Sequence, residues 1–287
     1  MEDREEVTTE EDILTDEEII ALLTAFYFGR NGLDDLQEWY YYKVADKLLE
    51  GVYDGFGDTP TGIQEKIRKA RETGSRNLIE ELEKQQEVLL GMRENVFKFS
   101  AAKTYEQQKQ LRKLLFQNGK IMSFNEFKTE ASKIVKVFNE TWLRTEYQNA
   151  INQAISAKEY SVYLEEKEQF PYIKYKTQED EKVRSSHRVL NNTTRKVNDS
   201  FWDAYYPPID WNCRCFVVQV SDRDARNDVI NEASKKELNE IVPVYFRFNA
   251  WIDRIIFADS HPYFNVSNEE EGRKKRNFGL PIPMLNL

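Results

Sequence analysis

Apolar residues at the start of the chain recur with the period of an α-helix. The stretch TDEE at 15–18 has the form of a capping box, in which the threonine and the glutamate each satisfy a free backbone N–H group. Apolar side chains follow at helical spacing over 19–27 and again over 33–49. The pattern therefore predicts two helices, separated by the turn residues of GRNG at 29–32.

Breaker residues and charged residues shape the next part of the chain. GVYDGFGDTPTG at 51–62 contains four glycines and a proline, and it predicts a loop. Residues 63–98 alternate charged and apolar positions, which predicts one or two exposed amphipathic helices interrupted near Gly74. We expect a shorter helix at about 104–116.

A longer helical pattern follows. SFNE at 123–126 is a second capping box, and the next residues contain neither glycine nor proline as far as residue 168. The spacing of the apolar positions predicts one long helix or two abutting helices in this stretch. The chain should therefore be mainly helical up to about residue 168.

The pattern changes period after that point. FPYIKYKTQED at 170–180 alternates apolar and polar residues of β-forming types, and CRCFVVQV at 213–220 is the best strand pattern in the chain. We interpret 180–190 as a short helix or turn, 222–241 as helix and 244–264 as strand or mixed structure. The predicted fold class is α+β: a predominantly helical N-terminal half with long amphipathic helices, followed by a small mixed α/β domain.

The charge of the chain is concentrated at one end. The net charge is −9, and residues 1–18 alone carry ten acidic residues and one arginine. The remaining residues hold 40 acidic and 40 basic side chains, so they are neutral together. We interpret the first residues as a flexible acidic tail, or as an arm that binds a basic partner surface. The absence of a basic surplus argues against nucleic acid as the primary partner.

The sequence shows no sign of a targeting or membrane segment. No apolar run approaches the roughly 18–20 residues that a membrane-spanning helix needs. The acidic N-terminal stretch is unlike a signal or transit peptide. We therefore expect a protein that is made in a cytoplasm and lacks a membrane-spanning segment.

The candidate chemistry lies in the second half of the chain. Cys213 and Cys215 are its only cysteines, and His187 and His261 are its only histidines. Together these four residues form a complete His₂Cys₂ ligand set, which is consistent with a structural zinc site. The C-x-C spacing of the two cysteines is shorter than that of the usual zinc knuckle. A metal-free cluster of the same side chains and a thiol–imidazole pair therefore remain alternatives.

Other catalytic patterns are weak. The chain has no G-x-G-x-x-G, P-loop or G-x-S-x-G motif. Arg144 and Glu146, within the predicted long helix, are interpreted as structural ion-pairing residues rather than as an acid–base pair.

Four segments together resemble a known family. They are WLRTEYQNAINQA at 142–154, DEKVRSSHRVL at 180–190, YPPIDWNCRCFV at 206–217 and FADSHPYF at 257–264. Their order resembles the phage Mu F-like minor head proteins, also called phage head morphogenesis proteins, over about 124–265. The pattern elements are the Arg-Thr-Glu helix, Asp180 with Arg184 and His187, the proline-led Asn-Cys-Arg-Cys, and His261–Pro262. Where the family often has a glycine, this chain has Asn192.

The resemblance implies a structural minor head protein of a tailed phage and not an enzyme. Its implied partners are the portal protein, capsid or scaffold proteins, and the packaged DNA with which some members are thought to leave the head. It implies a place in the virion, at the head interior or portal vertex, after assembly in the host cytoplasm. The alternatives are a nuclease- or transferase-like enzyme that uses the His, Cys, Arg144 and Glu146 set, and a purely architectural scaffold partner.

The expected domain organisation follows from the pattern and the resemblance together. It comprises an acidic tail at 1–14, a helical region for portal or capsid contact at 15–122, a Mu F-like domain at 123–265 and a C-terminal extension at 266–287.

Overall fold

The computed structural model describes residues 13–29, 33–117, 119–225, 235–285 and 287. The predicted tail therefore lies almost wholly outside the described residues, as do most of GRNG and the segment 226–234.

The longer helices are α1 (Asp16–Phe28), α2 (Leu33–Phe56), α3 (Pro60–Thr73), α4 (Arg76–Leu115), α5 (Phe124–Lys136) and α6 (Leu143–Glu165). The shorter helices are α7 (Ser185–Arg188), α8 (Trp202–Tyr205), α9 (Asp222–Ala225), α10 (Lys235–Ile241), α11 (Ala250–Asp253) and α12 (Glu271–Lys274).

The strands form two small sheets. They are β1 (Phe116–Gln117), β2 (Lys120–Ile121), β3 (Tyr172–Lys176), β4 (Thr194–Lys196) and β5 (Phe216–Val220). The first two strands form a hairpin, and the other three form an antiparallel sheet in the order β4-β3-β5. The predicted fold class is confirmed, because the described chain is mostly helical with a small mixed α/β part.

Helix ends follow the predicted capping chemistry. The side chain of Thr15 accepts from the N–H of Glu18, and Ser123 does the same for Glu126; both capping boxes are complete. Gly74 ends α3 in the left-handed conformation, with φ 72°. A π-helical segment, Val137–Trp142, joins α5 to α6, so the predicted glycine-free helical run is confirmed as two abutting helices.

Three predictions of local structure are wrong. The loop predicted over 51–62 is mostly helix, because α2 continues to Phe56 and α3 begins at Pro60. The separate helix expected at 104–116 is the last part of α4, which runs for 40 residues. The residues 244–264 form short helical turns and no strand, since the aromatic side chains there pack into a core without pairing with a sheet edge.

The chain divides into two compact units. Unit 1 comprises Met1–Glu50, Val96–Gln148 and Pro262–Met284, and unit 2 comprises Gly51–Asn95, Asn149–His261 and Leu285–Leu287. Each unit thus combines residues from both sides of the predicted boundary at 122/123. The organisation is discontinuous in sequence, whereas the sequence predicted contiguous regions.

Unit 1 has a helical core. The side chains of Phe26 in α1 and Phe127 in α5 stack with ring centroids 6.1 Å apart. The hydroxyl of Tyr27 donates to the carbonyl of Met122 at 2.8 Å, which ties α1 to the chain just after the β1–β2 hairpin. In that hairpin Phe116 pairs with Ile121, and both side chains are exposed.

Unit 2 contains the three-stranded sheet and a hydrophobic core against its inner face. Ile173 and Tyr175 of β3 are fully buried, while their neighbours along the strand are only partly buried. Tyr175 pairs with Val217 of β5, and Lys176 pairs with Phe216. Because alternate residues of a strand point to one face, Cys215 precedes β5 on the same inner face as Val217. No helix among the described residues is both long and apolar enough to cross a bilayer.

Candidate metal centre

The two cysteines lie in the turn that leads into β5, and not within the strand as the sequence predicted. The N–H of Cys213 donates to the carbonyl of Asp210 at 3.2 Å, which closes the turn. Asn212 lies within it at φ 54°, a left-handed conformation that asparagine tolerates better than most residues. This geometry directs both cysteine side chains into the core of unit 2, where they are buried.

His187 faces both sulfurs. It lies in the four-residue helix α7, between β3 and β4, and it is buried. Its Nδ1 atom is 3.7 Å from the sulfur of Cys213 and 3.6 Å from that of Cys215. The three potential ligand atoms lie within 4.8 Å of one another. The structure therefore brings together three of the four residues in the predicted ligand set.

The fourth predicted ligand lies elsewhere in unit 2. The ring of His261 packs edge-on against Trp211 and Tyr245, with ring centroids 5.9 and 5.6 Å away. It is buried, but it is not part of the group of ligand atoms formed by His187, Cys213 and Cys215. His261 thus makes aromatic contacts with Trp211 and Tyr245, and it does not join the ligand set that the sequence suggested.

A carboxylate lies on the other side of the His187 ring. Oδ2 of Asp210 is 4.0 Å from Nε2 of His187 and 3.7 Å from a guanidinium nitrogen of Arg184. Arg184 also donates to the carbonyl of Trp211 at 2.8 Å. Arg184, the residue before α7, therefore holds the turn that leads into β5, and Asp210 of that turn lies near the imidazole without hydrogen bonding to it.

The electrostatics of the two sulfurs are coupled. Burial opposes ionisation of Cys213, but hydrogen bonds from Cys215 and His187 outweigh it and hold the Cys213 pKa well below its ordinary value. The pKa of Cys215 is raised, chiefly by its hydrogen bond to Cys213 and then by burial. The two pKa values move in opposite directions because the sulfurs share one hydrogen bond.

Tyr175 completes the surroundings of the sulfurs. Burial raises its pKa well above the ordinary value, and the charges of Cys213 and Cys215 raise it further. Its fully buried hydroxyl oxygen makes no hydrogen bond of standard geometry. A buried hydroxyl without such a bond is costly, so its position beside two sulfurs needs a physical reason.

A family comparison fits this arrangement. Residues 43–218, which are more than half of the chain, match the family model described as Phage Mu protein F like protein. This chain belongs to that family. The matched residues include His187, Cys213 and Cys215 and end before His261.

Two relatives of the Mu F-like family are similar over part of their length. A stretch of 95 residues is 32% identical to the Mu-like prophage FluMu F protein of Haemophilus influenzae, covering 33% of this chain and 23% of that protein. A stretch of 90 residues is 31% identical to the Putative capsid assembly protein F of Escherichia phage Mu, covering 31% of this chain and 20% of that protein. The chain thus matches only about a fifth of each relative. No solved structure matches it.

The Mu F-like match corrects the extent of the resemblance. The sequence suggested a family region at about 124–265, but the match begins inside α2 and ends in β5. Most of the helical region predicted at 15–122 therefore lies within the family match. The predicted membership itself is confirmed.

The other residues of the Mu F-like pattern have structural partners. Asp180 accepts two hydrogen bonds from the guanidinium of Arg214, at 2.7 and 2.8 Å, which anchors the Asn-Cys-Arg-Cys turn. Asn192 has φ 64°, a left-handed conformation that glycine adopts readily and asparagine tolerates, and its N–H donates to the carbonyl of Tyr175 at 2.8 Å. The asparagine therefore keeps the turn that links α7 to β4.

Glu146 has a partner that sequence reasoning missed. Its carboxylate lies 2.7 Å from Nζ of Lys103 and accepts from the hydroxyl of Tyr263 at 2.9 Å, and all three side chains are buried in unit 1. The expectation of a structural ion pair at Glu146 fits this geometry, with Lys103 rather than Arg144 as the partner. The available signal was weak: Lys103 lies four residues after Phe99 and directly after Ala101 and Ala102, which are buried.

Proposed function

We propose that this protein acts in phage head morphogenesis as a minor head protein that binds the portal protein. The observation that carries the proposal is membership of the Mu F-like family over residues 43–218. The name of the phage Mu relative, a putative capsid assembly protein, supports the same role. On this proposal the protein is in the virion, at the head interior or portal vertex, after assembly in the host cytoplasm, and it leaves the head with the DNA.

The β1–β2 hairpin of unit 1 is the surface we propose for the portal contact. Phe116 and Ile121 are cross-strand partners whose side chains are 59% and 62% exposed. Phe28 is also exposed and its ring lies 5.2 Å from that of Phe124, three residues after Ile121. Neighbouring exposed apolar side chains such as Phe116 and Ile121 are typical of protein–protein contacts. We call these two residues the hairpin surface.

The experiment replaces this surface without disturbing the core. Phe116→Thr with Ile121→Thr retains residues that favour strands, so the melting temperature should be close to that of the wild type. Heads assembled with the variant should contain much less of the protein, as measured by mass spectrometry of purified particles relative to portal.

A matched control comes from unit 2. Val244 and Ile252 are also exposed, and Val244→Thr with Ile252→Thr removes apolar surface far along the chain from the hairpin. That control should enter heads normally. Wild-type incorporation of the hairpin variant, or absence of the wild-type protein from finished heads, would contradict the proposal.

An enzymatic role is the second candidate, and one observation favours it. Nδ1 of His187 is 3.7 Å from the sulfur of Cys213, the pairing that activates a cysteine nucleophile. Against it, both sulfurs are buried, and Glu146 is engaged with Lys103 and Tyr263. A catalytic cysteine must be reachable, so rapid alkylation of Cys213 by iodoacetamide in the native protein would support the enzyme. Slow alkylation that requires unfolding would support the structural role.

A further inference from the structure

We propose that His187, Cys213 and Cys215 bind one zinc ion through Nδ1 and the two sulfurs, with Tyr175 and Asp210 supporting the ligands. The inference is independent of the role in head assembly. It differs from the four-ligand site that the sequence suggested, because His261 is not a member of the cluster.

The donor set is the first argument. Two thiolates and one imidazole are ligands that zinc prefers, and three such protein ligands leave one of its four positions to water or another small ligand. The three residues are only 3%, 5% and 7% exposed, so the site is enclosed by the core of unit 2 and not formed by mobile surface groups.

The distances are the second argument. With zinc–sulfur bonds of about 2.3 Å and zinc–nitrogen bonds of about 2.0–2.1 Å at tetrahedral angles, the sulfur and nitrogen atoms lie roughly 3.6 Å apart. The two observed separations, 3.6 and 3.7 Å, agree with this value. A hydrogen bond between a thiol and an imidazole explains one of these contacts. Because one ring nitrogen lies at nearly the same distance from both sulfurs, a metal ion bound to all three atoms explains the arrangement better.

The orientation of His187 is the third argument. A zinc-bound histidine usually presents its second ring nitrogen to a carboxylate or a carbonyl, which fixes the ring and its tautomer. Here Nε2 lies 4.0 Å from Oδ2 of Asp210, which is too long for a direct hydrogen bond, and Asp210 belongs to the same turn as the cysteines. Arg184 lies 3.7 Å from the same carboxylate oxygen and holds the turn through the carbonyl of Trp211.

Tyr175 is the fourth argument. Its buried hydroxyl has no hydrogen bond of standard geometry, and its strand partner Val217 lies two residues after Cys215 on the same face of the sheet. When the sulfurs are thiolates bound to zinc, this hydroxyl can donate to one of them and reduce the negative charge of the site. Such a supporting contact typically changes metal affinity by about tenfold to a hundredfold.

A disulfide is a poor alternative for the two cysteines. Residues at i and i+2 can be joined only through a very tight ring, whose geometry departs from that of ordinary disulfides. Both sulfurs also face the imidazole of His187 and are not bonded to each other.

The test measures metal in protein purified without a chelator or a metal-affinity tag. The wild type should contain equimolar zinc by elemental analysis. His187→Gln should reduce zinc to background, whereas His261→Gln, a matched buried histidine, should keep the wild-type content. Zinc-free wild-type protein that takes up no zinc on titration would overturn the proposal. Loss of zinc from a folded His261→Gln variant would overturn the three-ligand assignment.

A second measurement does not depend on the folding of any ligand variant. X-ray absorption of the zinc-loaded wild type should show two sulfur neighbours at about 2.3 Å and nitrogen or oxygen neighbours at about 2.0–2.1 Å. A spectrum without sulfur neighbours would overturn the proposal. Tyr175→Phe should bind zinc about tenfold to a hundredfold more weakly, and an unchanged affinity would remove Tyr175 from the site.

Discussion

Two buried polar clusters of this protein differ in how their charges are compensated. In unit 1, Lys103 and Glu146 neutralise each other at 2.7 Å, and Tyr263 donates to the remaining carboxylate oxygen. In unit 2, Cys213 and Cys215 face one imidazole, and the hydroxyl of Tyr175 has no bond of standard geometry. The first cluster balances its charges with protein groups alone. The second has the composition and spacing of a cluster that is balanced by a cation.

The largest expected change in unfolding free energy comes from removing the Lys103–Glu146 ion pair in unit 1. Lys103→Met leaves the carboxylate of Glu146 buried without its cation, which should cost about 3–5 kcal/mol of unfolding free energy. The double variant Lys103→Met with Glu146→Gln should recover most of this loss, because it removes the uncompensated charge. Urea unfolding measures both.

An exposed pair of the same unit is the control for that experiment. Lys133 and Glu130 also form an ion pair, but both side chains are about half exposed or more. Lys133→Met should therefore cost only about 0–1 kcal/mol. Equal losses in the single and double variants at the buried pair would contradict the account of unit 1.

The next largest effect is the stabilisation of unit 2 by zinc, because zinc binding and folding are thermodynamically linked. An ion that binds only the folded state stabilises it, by about 2.7 kcal/mol when free zinc is a hundredfold above Kd. Urea unfolding of the wild type should show this gain, and Cys215→Ser should not. The same gain in both proteins would mean that zinc acts elsewhere.

A smaller effect, which depends on pH, is expected at the carboxylate of Glu270 in unit 1. The Tyr105 hydroxyl, followed by the backbone N–H of Ser267, lowers the pKa of Glu270 to about 2. The folded state therefore binds fewer protons than the unfolded state between the ordinary carboxyl pKa and about 2. The stabilisation by Glu270 is complete above the ordinary value and is lost as the pH falls through this window.

The difference in unfolding free energy between the wild type and Glu270→Gln tests this sign. It should shrink as the pH falls from about 6 to about 3. A difference that grows in acid would show that Glu270 is not stabilised as a carboxylate.

The smallest effect concerns the anchor of the cysteine turn. Asp180 and Arg214 form a two-pronged ion pair, but both side chains are nearly half exposed. Asp180→Asn should therefore cost about 0–1 kcal/mol and leave the zinc content unchanged. Loss of zinc from this variant would show that the ion pair shapes the site directly.

The sequence predicted local structure well where the signal itself was local. Both capping boxes form as expected, and β3 lies within its predicted segment. The prediction of a loop at 51–62 was wrong because Gly55 is required inside a helix. A Cβ atom there would overlap the backbone of Ile151 and crowd Ala154, so the glycine permits a close approach of two helices rather than a turn.

The sites were predictable only as far as rare residue types revealed them. With two cysteines and two histidines in the chain, the cluster could be proposed, but residue types do not show that His261 packs against Trp211 and Tyr245. Lys103 could not be paired with Glu146, because a buried lysine and an exposed one look alike in sequence and 43 positions separate the partners.

Hydrogen exchange with and without a strong chelator tests the contrast between the two clusters most directly. With zinc-loaded protein, the chelator should speed exchange in the turn 206–215 and in β3 and β5, and leave amides near Lys103 and Glu146 unchanged. This result would follow from a metal that stabilises only the second cluster. Identical exchange in both regions with and without the chelator would contradict the account.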